Sequence, residues 1–297
     1  MALIALAADK GSPGVTTAAV ALAAVWPRRA LLAEVDPAGG DLVYRSAAAH
    51  GGALDPHTGM LSLAATARRG LVAEQVWDHA QPLAGGLDVL VGLGGAEQAA
   101  GLGGLWPALG RAFAALADAP QGGADVLADC GRIGVEGPAL ELLPHASLVL
   151  LLARTEPEHL ARVRDRAAAL SAKLHGAHRG AAQLGFPPIG VLLIVEPGSG
   201  EKIAGQVNTM LIAAQIGAQV VGTLAYDPAG AEQLAGRRRG NVGKSLIVRS
   251  ARQVAGDVFH RFNLATSYQY GQGGQYGQGG QYGQDSQYGQ GANGGTR

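Results

Sequence analysis

The sequence Asp9-Lys10-Gly11-Ser12-Pro13-Gly14-Val15-Thr16-Thr17 decides the fold of this 297-residue chain. The apolar residues 2–8 before it predict a short buried strand, and the alanine-rich residues 16–26 after it predict a helix. A strand, a glycine-containing turn and the start of a helix direct backbone N–H groups and the positive end of the helix dipole at an anion. The stretch therefore predicts a phosphate-binding loop.

The loop departs from the usual phosphate-binding sequence at one position. That sequence ends in Gly-Lys-Ser or Gly-Lys-Thr, with the lysine on the β- and γ-phosphates and the hydroxyl on Mg²⁺. Here the triplet is Gly14-Val15-Thr16, so the hydroxyl is present and the lysine is absent. Taken alone, the stretch also fits an ordinary strand, turn and helix built from small residues, and the rest of the chain has to decide between the two interpretations.

The loop resembles that of the ParA/MinD family of deviant-Walker P-loop ATPases, which reads Lys-Gly-Gly-x-Gly-Lys-Thr-Thr with a signature lysine at the front. The matching residues of this chain are Lys10, Gly11, Gly14, Thr16 and Thr17. Ser12 replaces a glycine, and Val15 replaces the second lysine. Members of the CpaE/TadZ type, which position pilus machinery, also tend to lose that second lysine, so the chain most resembles this degenerate type.

Two aspartates follow apolar runs that predict buried parallel strands. The run over residues 30–35 ends at Asp36, and the run over residues 126–128, after Asp125, ends at Asp129. Because ligands bind at the carboxyl ends of parallel strands, both carboxylates are candidates for a phosphate or metal site. The alternative for Asp36 is that it caps the turn before Pro37.

The surroundings of both aspartates resemble switch segments of the same family. Residues 36–42 resemble switch I, Asp-x-x-x-Gly-(Asn/Asp)-Leu, in which the aspartate contacts the magnesium shell or the attacking water. Asp129 resembles the Walker B aspartate, which orders Mg²⁺ through water, and residues 132–136 would then be switch II. Cys130, beside it, is interpreted as a small residue at the end of a strand rather than as a nucleophile.

Later landmarks follow in the order of that family. Thr155-Glu156-Pro157 resembles the Thr-x-Pro turn of the family. Tyr226-Asp227, after a strand predicted over 219–224, resembles the family's turn that lies along the base of the bound nucleotide. Glu196 stands where the family often has an asparagine that recognises adenine, and Ala225 stands where it has a proline. Both departures leave the selectivity for adenine open.

The resemblance implies ATP and Mg²⁺ as ligands, and a homodimer in which Lys10 reaches the nucleotide of the partner. The implied nucleotide-binding residues are Gly11, Ser12, Pro13, Gly14, Val15, Thr16, Thr17, Tyr226 and Asp227. The implied catalytic residues are Lys10, Asp36 and Asp129, and the implied metal-binding residues are Thr16 and Asp129.

The composition excludes several other classes of protein. With 23 basic and 23 acidic residues, the chain as a whole has no excess charge that would indicate nucleic acid or membrane as its partner. The single cysteine, Cys130, excludes a disulfide framework and any cysteine-based metal or iron–sulfur site within one chain. Residues 1–8 lack a basic leader and no apolar run approaches the roughly 20 residues of a membrane span, so we expect a cytoplasmic, bacterial protein.

Strands alternate with helices over residues 1–263, which predicts one doubly wound α/β domain with a mostly parallel sheet flanked by helices. Residues 264–297 repeat a Gln/Gly/Tyr pattern. Such a segment buries too little apolar area to offset its chain entropy, so we expect a disordered tail. The tail either binds a protein partner through its tyrosines or only adds solubility.

The absence of the lysine predicts weak phosphate binding and, to a greater extent, slow ATP hydrolysis. A charge-assisted hydrogen bond contributes roughly 1.5–3 kcal/mol, or on the order of ten- to a hundredfold in Kd. Asp9 adds a negative charge beside the loop. The leading hypothesis is therefore a nucleotide-binding positioning or scaffold factor with weak or no ATP hydrolysis. The alternatives are a working ATPase that cycles on DNA or membrane, with Lys10 replacing the lost lysine, and an interaction module with an empty pocket.

A basic segment suggests one further partner. Residues 237–263 carry seven basic residues against one acid, Asp257. The favoured interpretation is a last helix docked on the sheet with its basic face in solvent. The other is nonspecific DNA binding through Arg237, Arg238 and Arg239, with membrane less favoured because the tail follows.

Overall fold

The computed structural model describes residues 2–11, 13–176 and 186–264. Its strands are β1 (Leu3–Ala8), β2 (Ala30–Glu34), β3 (Gln81–Pro82), β4 (Asp88–Leu90), β5 (Asp125–Arg132), β6 (Leu148–Arg154), β7 (Ile189–Val195) and β8 (Ala218–Ala225). Its α-helices are α1 (Val15–Ala23), α2 (Leu42–Arg45), α3 (Met60–Ala67), α4 (Ala96–Gly101), α5 (Trp106–Leu116), α6 (Pro157–His175), α7 (Gly200–Ala213), α8 (Pro228–Leu234) and α9 (Leu246–Arg261). Short 3₁₀ turns connect them at Ala73–His79, Gly103–Leu105, Pro138–Glu141, Leu143–His145 and Val242–Lys244.

The strands form one eight-stranded sheet in the order β3-β4-β2-β5-β1-β6-β7-β8. Every neighbouring pair is parallel except β3–β4, which is antiparallel. The predicted doubly wound, mostly parallel sheet is thus confirmed. The chain leaves β1 toward β2 on one side and later adds β6 on the other, so the carboxyl end of β1 lies at the point where the strand order reverses. Open parallel sheets bind their ligands at this point.

Helices cover both faces of the sheet because its central strands are apolar on both sides. In β1, Leu3, Ala5 and Ala7 join the layer under α3, α5, α6 and α7, whereas Ile4, Leu6 and Ala8 join the layer under α1 and α9. Both layers are built from leucine, valine and alanine with a few aromatic side chains. The glycine-rich stretch 92–104 contains the short helix α4.

One buried carboxylate holds together the end of the sheet opposite the loop. Asp125, at the start of β5, accepts hydrogen bonds from the Ala2 amide at 2.7 Å and from the Trp26 indole at 2.8 Å. The Arg28 guanidinium pairs with the same carboxylate, and its Nη2 also donates to the carbonyl of Leu264 at 3.0 Å. The C-terminal end of α9 is therefore attached to the start of the sheet.

Leu264 belongs to the packed structure, although the sequence placed it in the tail. Its side chain is buried in the layer that contains α1 and α9, and its carbonyl is the one that Arg28 contacts. The rest of the predicted tail, residues 265–297, lies outside the described residues.

Two truncations test where the domain ends. We expect a chain ending at Leu264 to melt within about one degree of the full-length protein. A chain ending at Phe262 loses the buried leucine, which contributes about 1.5–3 kcal/mol, and its melting temperature should fall by roughly 3–10 °C. Differential scanning calorimetry measures both. A large fall for the chain that ends at Leu264 would show that the tail contributes to the stability of the domain.

Candidate functional site

The predicted phosphate-binding loop lies between β1 and α1, at the point where the strand order reverses. Gly11 and Gly14 have φ angles of 77° and 92°, in the left-handed region that favours glycine. Gly14 also caps α1, and its carbonyl accepts the amide of Ala18 at 2.9 Å. Lys10 is exposed at the front of the loop, and Ser12 lies outside the described residues. The loop thus has the strand–turn–helix form that its sequence predicts.

Val15 occupies the position of the missing lysine and turns its side chain inward. It is 7 % exposed and packs with Ala18, Ala19 and Leu22 of α1 in the apolar layer under that helix. The neighbouring Thr16 and Thr17 are half-buried. The head of α1 therefore offers hydroxyl groups, and no ammonium group, to an anion in the loop.

Asp129 has the unsatisfied buried acceptor of the site. Its Oδ1 accepts the amide of Gly131 at 3.0 Å. Its Oδ2 is buried, and among the described residues it has the Thr16 hydroxyl nearby but accepts no well-aligned hydrogen bond. Burial raises the pKa of Asp129 to about 6, while the nearby Thr16 hydroxyl acts to lower it. Because a buried acceptor without a partner is costly, this oxygen points to a ligand that the protein alone does not supply.

Asp36 lies against the same turn. Its Oδ1 accepts the amide of Ala38 at 2.8 Å, and burial raises the pKa of this carboxyl. Gly131 has a φ angle of 58°, and a side chain there would overlap the Asp36 carboxylate. The glycine two residues after Asp129 therefore permits the predicted switch I and switch II segments to meet.

The donor set at Asp129 fits Mg²⁺. This ion keeps several of its waters and binds proteins through one or two oxygen ligands, often beside phosphate. Thr16 and Asp129 supply a hydroxyl and a carboxylate oxygen of that kind, so these two residues would hold the ion. Over the described ranges there is no group of three histidine, cysteine, aspartate or glutamate side chains that would form an all-protein metal cage.

Glu34 is a buried residue of the candidate site that the sequence analysis missed. It is buried at the end of β2, directly opposite Asp129 in the sheet register. Its Oε1 accepts the amides of Asp41 at 2.6 Å and Leu42 at 3.0 Å, and its Oε2 accepts the amide of Gly92 at 2.9 Å. Burial raises its pKa to about 7 against these three hydrogen bonds. The signal was available, because a glutamate interrupts the run that was interpreted as wholly apolar.

Asp9 is paired, which changes its expected effect on the loop. Its carboxylate accepts the Nε of Arg166 from α6 at 2.6 Å, and Nη1 of the same arginine donates to the carbonyl of Gly134 at 2.7 Å. Asp9 therefore does not present an isolated negative charge to a phosphate. The arginine instead connects the front of the loop, α6 and the predicted switch II segment.

His159 stands over the loop from the first turn of α6. Its Nδ1 is 3.0 Å from a carboxylate oxygen of Glu156, in the predicted Thr-x-Pro turn. Its Nε2 lies on the opposite side of the ring, close to Gly11, where a Cβ would be 3.1 Å away. The first turn of α6 thus places the His159 side chain against the loop at Gly11.

A cavity of about 430 Å³ opens from the loop toward α8. Its walls include Gly14 and Thr17 on one side and Tyr226 and Asp227 on the other. The cavity is also lined by four arginines, Arg45, Arg154, Arg237 and Arg238. This excess of positive charge suits an anionic ligand.

The two residues predicted along the base have different surroundings. The Arg154 guanidinium lies over the Tyr226 ring, 4.8 Å from its centre. Asp227 caps two helices: its Oδ1 accepts the amide of Gly230 at 2.8 Å, and its Oδ2 accepts the amide of Leu246 at 2.8 Å. Asp227 therefore shapes the cavity wall by holding the starts of α8 and α9.

The basic segment splits between two surroundings. Arg237 and Arg238 line the cavity between α8 and α9, whereas Arg249 and Arg252 are exposed on α9. No helix among the described residues is long and apolar enough to cross a membrane.

Neither a protein-family model nor a curated protein sequence matches this chain. Solved structures do match its fold. Cell division ATPase MinD from Pyrococcus furiosus has a TM-score of 0.59 at 16% identity, over 88% of this chain and 100% of its own. A ParA family ATPase from Chlorobium tepidum TLS has a TM-score of 0.60 at 14% identity, over 86% of this chain and 98% of its own.

A third match was solved with a nucleotide. The septum site-determining protein MinD from Pyrococcus horikoshii OT3, complexed with Mg-ADP, has a TM-score of 0.60 at 15% identity, over 89% of this chain and 98% of its own. At these identities the likeness concerns the fold alone. The resemblance inferred from the loop and switch segments is confirmed at that level: the chain has the ParA/MinD-like fold.

Substituting Glu34 tests how the site is held. In Glu34→Gln the amide keeps one acceptor oxygen and turns an NH₂ group toward backbone donors, so at least one buried N–H loses its partner. We expect the free energy of unfolding to fall by about 1–3 kcal/mol, as measured by urea denaturation. Glu141→Gln, at an exposed position, should change it by less than about 0.5 kcal/mol. Equal stability of both variants would show that Glu34 does not anchor the segment after β2.

Proposed function

We propose that this protein binds a magnesium nucleotide, with ATP as the expected ligand, and acts as a positioning or scaffold factor with weak or no ATP hydrolysis. The observation that carries the proposal is the buried, unpartnered Oδ2 of Asp129 beside the Thr16 hydroxyl, at the head of a helix that follows a glycine loop. That arrangement suits a hydrated Mg²⁺ next to a phosphate.

The fold and the cavity support nucleotide rather than another anion. The cavity is lined both by the loop and by Tyr226, so it suits a ligand with phosphates at the loop and a planar group at the tyrosine. The Tyr226 ring offers an aromatic surface to the planar group of the ligand. The Arg154 guanidinium lies over the same ring. Bound Mg²⁺ would neutralise phosphate charge at Thr16 and Asp129.

Weak hydrolysis is inferred from what the loop lacks. A lysine at position 15 would stabilise the charge that develops on the transferred phosphoryl group. The buried Val15 side chain cannot do so. Asp36 stays a candidate for orienting the attacking water, since it lies beside Gly131 and Asp129, but orienting the water does not replace the charge that a loop lysine would place on the transferred phosphoryl group. The degenerate CpaE/TadZ-like type is the subtype that this combination suits.

Partners follow from the same features. Lys10 is exposed at the front of the loop, where a second copy of the chain would meet it in a homodimer. Arg237 and Arg238 line the cavity, which favours the nucleotide over DNA as the anion that they contact. The tail, outside the described residues, is a candidate for binding a protein partner.

Calorimetric titration with Mg-ATP and a separate assay of phosphate release test the proposal. Binding without turnover is the expected result. Turnover at rates typical of ATPases would instead support the working ATPase, with Lys10 in the role of the missing lysine. Absence of binding would support an interaction module with an empty pocket and would overturn the proposal.

The role of Asp129 predicts a pH dependence. Burial raises its pKa to about 6, so the carboxylate is ionised and able to bind Mg²⁺ above that pH. We expect the magnesium-dependent gain in nucleotide affinity to be constant from pH 8 to 7 and to fall by about tenfold per pH unit well below 6, because protonation competes with the metal.

The Asp129→Asn variant controls for the protonation of the nucleotide phosphates, which also changes with pH. It should lose the magnesium-dependent gain at every pH, whereas Asp257→Asn, at an exposed position of α9, should keep it. If the gain in the parent protein does not change between pH 8 and 5, another group holds the metal.

A further inference from the structure

We infer that Arg45 supplies the cation that contacts the nucleotide phosphates in place of the lysine that Val15 replaces. This inference rests on the proposed function, because it assigns a residue to the same nucleotide site. The positive group comes from α2, a segment outside the loop.

The position of Arg45 is fixed by α2, whose start is held by the buried Glu34 at the end of β2. Arg45 is the last residue of α2, and its amide donates to the carbonyl of Asp41 at 3.0 Å. The start of α2 is held because Glu34 accepts the amides of Asp41 and Leu42. The Leu42 side chain is buried in the apolar layer beneath. Anchors on backbone and side chain thus hold this short helix beside α1.

The Arg45 side chain reaches the head of α1. Its Nη2 donates to the Thr17 hydroxyl at 3.0 Å, two residues beyond Val15. With Pro13, Gly14 and Thr17 it forms the end of the cavity that adjoins the loop. Within the described ranges this is the one hydrogen bond of its guanidinium. Because Arg45 also lines the cavity, its remaining N–H donors are available to a ligand there. A guanidinium with free donors binds phosphate oxygens in pairs.

The surrounding charges agree with this assignment. Arg45 acts on Asp129 as a nearby positive charge and lowers its pKa. Its charge is therefore close to the carboxylate that would hold Mg²⁺. A cation and a metal ion on either side of a phosphate chain is the arrangement that phosphoryl-binding sites use to neutralise several negative charges.

Four other arginines near the site are less suited to the role. Arg166 is engaged by Asp9 and the Gly134 carbonyl, and Arg154 lies over Tyr226. Arg237 and Arg238 line the cavity from the segment that follows α8. Arg45 is the one of these that hydrogen-bonds to α1.

The inference is tested by calorimetric titration of five proteins with Mg-ADP and Mg-ATP. They are the parent chain, Arg45→Ala, Arg45→Gln, Arg69→Ala and the double variant Val15→Lys/Arg45→Ala. Arg69 is exposed just after α3 and controls for the loss of one positive charge. We expect Arg45→Ala to weaken binding about ten- to a hundredfold and Arg69→Ala to leave it unchanged.

The double variant supplies the second readout. Because the lysine restores a cation at the loop, we expect it to recover at least about tenfold of the affinity lost in Arg45→Ala. A variant that has merely unfolded would show no such recovery. Arg45→Gln, which keeps a polar group for Thr17 and removes the charge, should bind as weakly as Arg45→Ala while melting at the temperature of the parent.

The outcomes separate the inference from the proposed function. If the parent binds Mg-ADP and both Arg45 variants bind equally well, Arg45 is not the phosphate cation, and the proposed function still stands. If the parent itself binds neither nucleotide, the proposed function is wrong and the inference is wrong with it. If Arg69→Ala weakens binding as much as Arg45→Ala, the effect is one of net charge, and the inference is overturned.

Discussion

The carboxylate of Glu34 is the constraint on which the arrangement of the site depends. It is buried at the end of β2 and accepts three backbone N–H groups, from Asp41, Leu42 and Gly92. These donors belong to the two segments that follow β2 and β4, and the hydrogen bonds to Glu34 fix the direction in which each segment leaves its strand. The first leads into α2 and therefore positions Arg45, and the second follows β4. A single side chain thus converts the end of one strand into a support for two walls of the site.

Glu34, Asp36 and Asp129 concentrate negative charge at the ends of two neighbouring strands. Burial raises the pKa of all three, and each is raised further by a neighbouring carboxylate. Hydrogen bonds from backbone amides compensate Glu34, whereas Asp129 keeps one oxygen without a partner. A divalent cation beside Thr16 would relieve that cost by giving this oxygen a partner and by balancing the negative charge of the cluster.

The sequence was sufficient for features that depend on local patterns. Apolar runs, the glycine loop and the aspartates at strand ends predicted the doubly wound sheet and brought Asp36 and Asp129 to one edge. Features that depend on distant contacts were not predictable in this way. Arg166 reaches Asp9 across 157 positions of the chain, and α2 has only four residues, too few for a periodic pattern. Glu34 was missed because a single charged residue inside an apolar run did not change the prediction of a buried strand.

Placing the phosphate cation on α2 has a consequence that a loop lysine would not have. A lysine in the loop belongs to the rigid junction of β1 and α1, whereas Arg45 belongs to the segment that follows β2 and Asp36. If the nucleotide contacts Arg45, binding stabilises one position of that segment, and a partner that prefers this position must strengthen nucleotide binding by the same factor. A protein that works in this way would respond to its partner through the bound nucleotide and would need no hydrolysis for that response. With Arg45 as the phosphate cation, a partner would act on the site through the segment after β2, whereas a loop lysine would leave that segment without a contact to the phosphates.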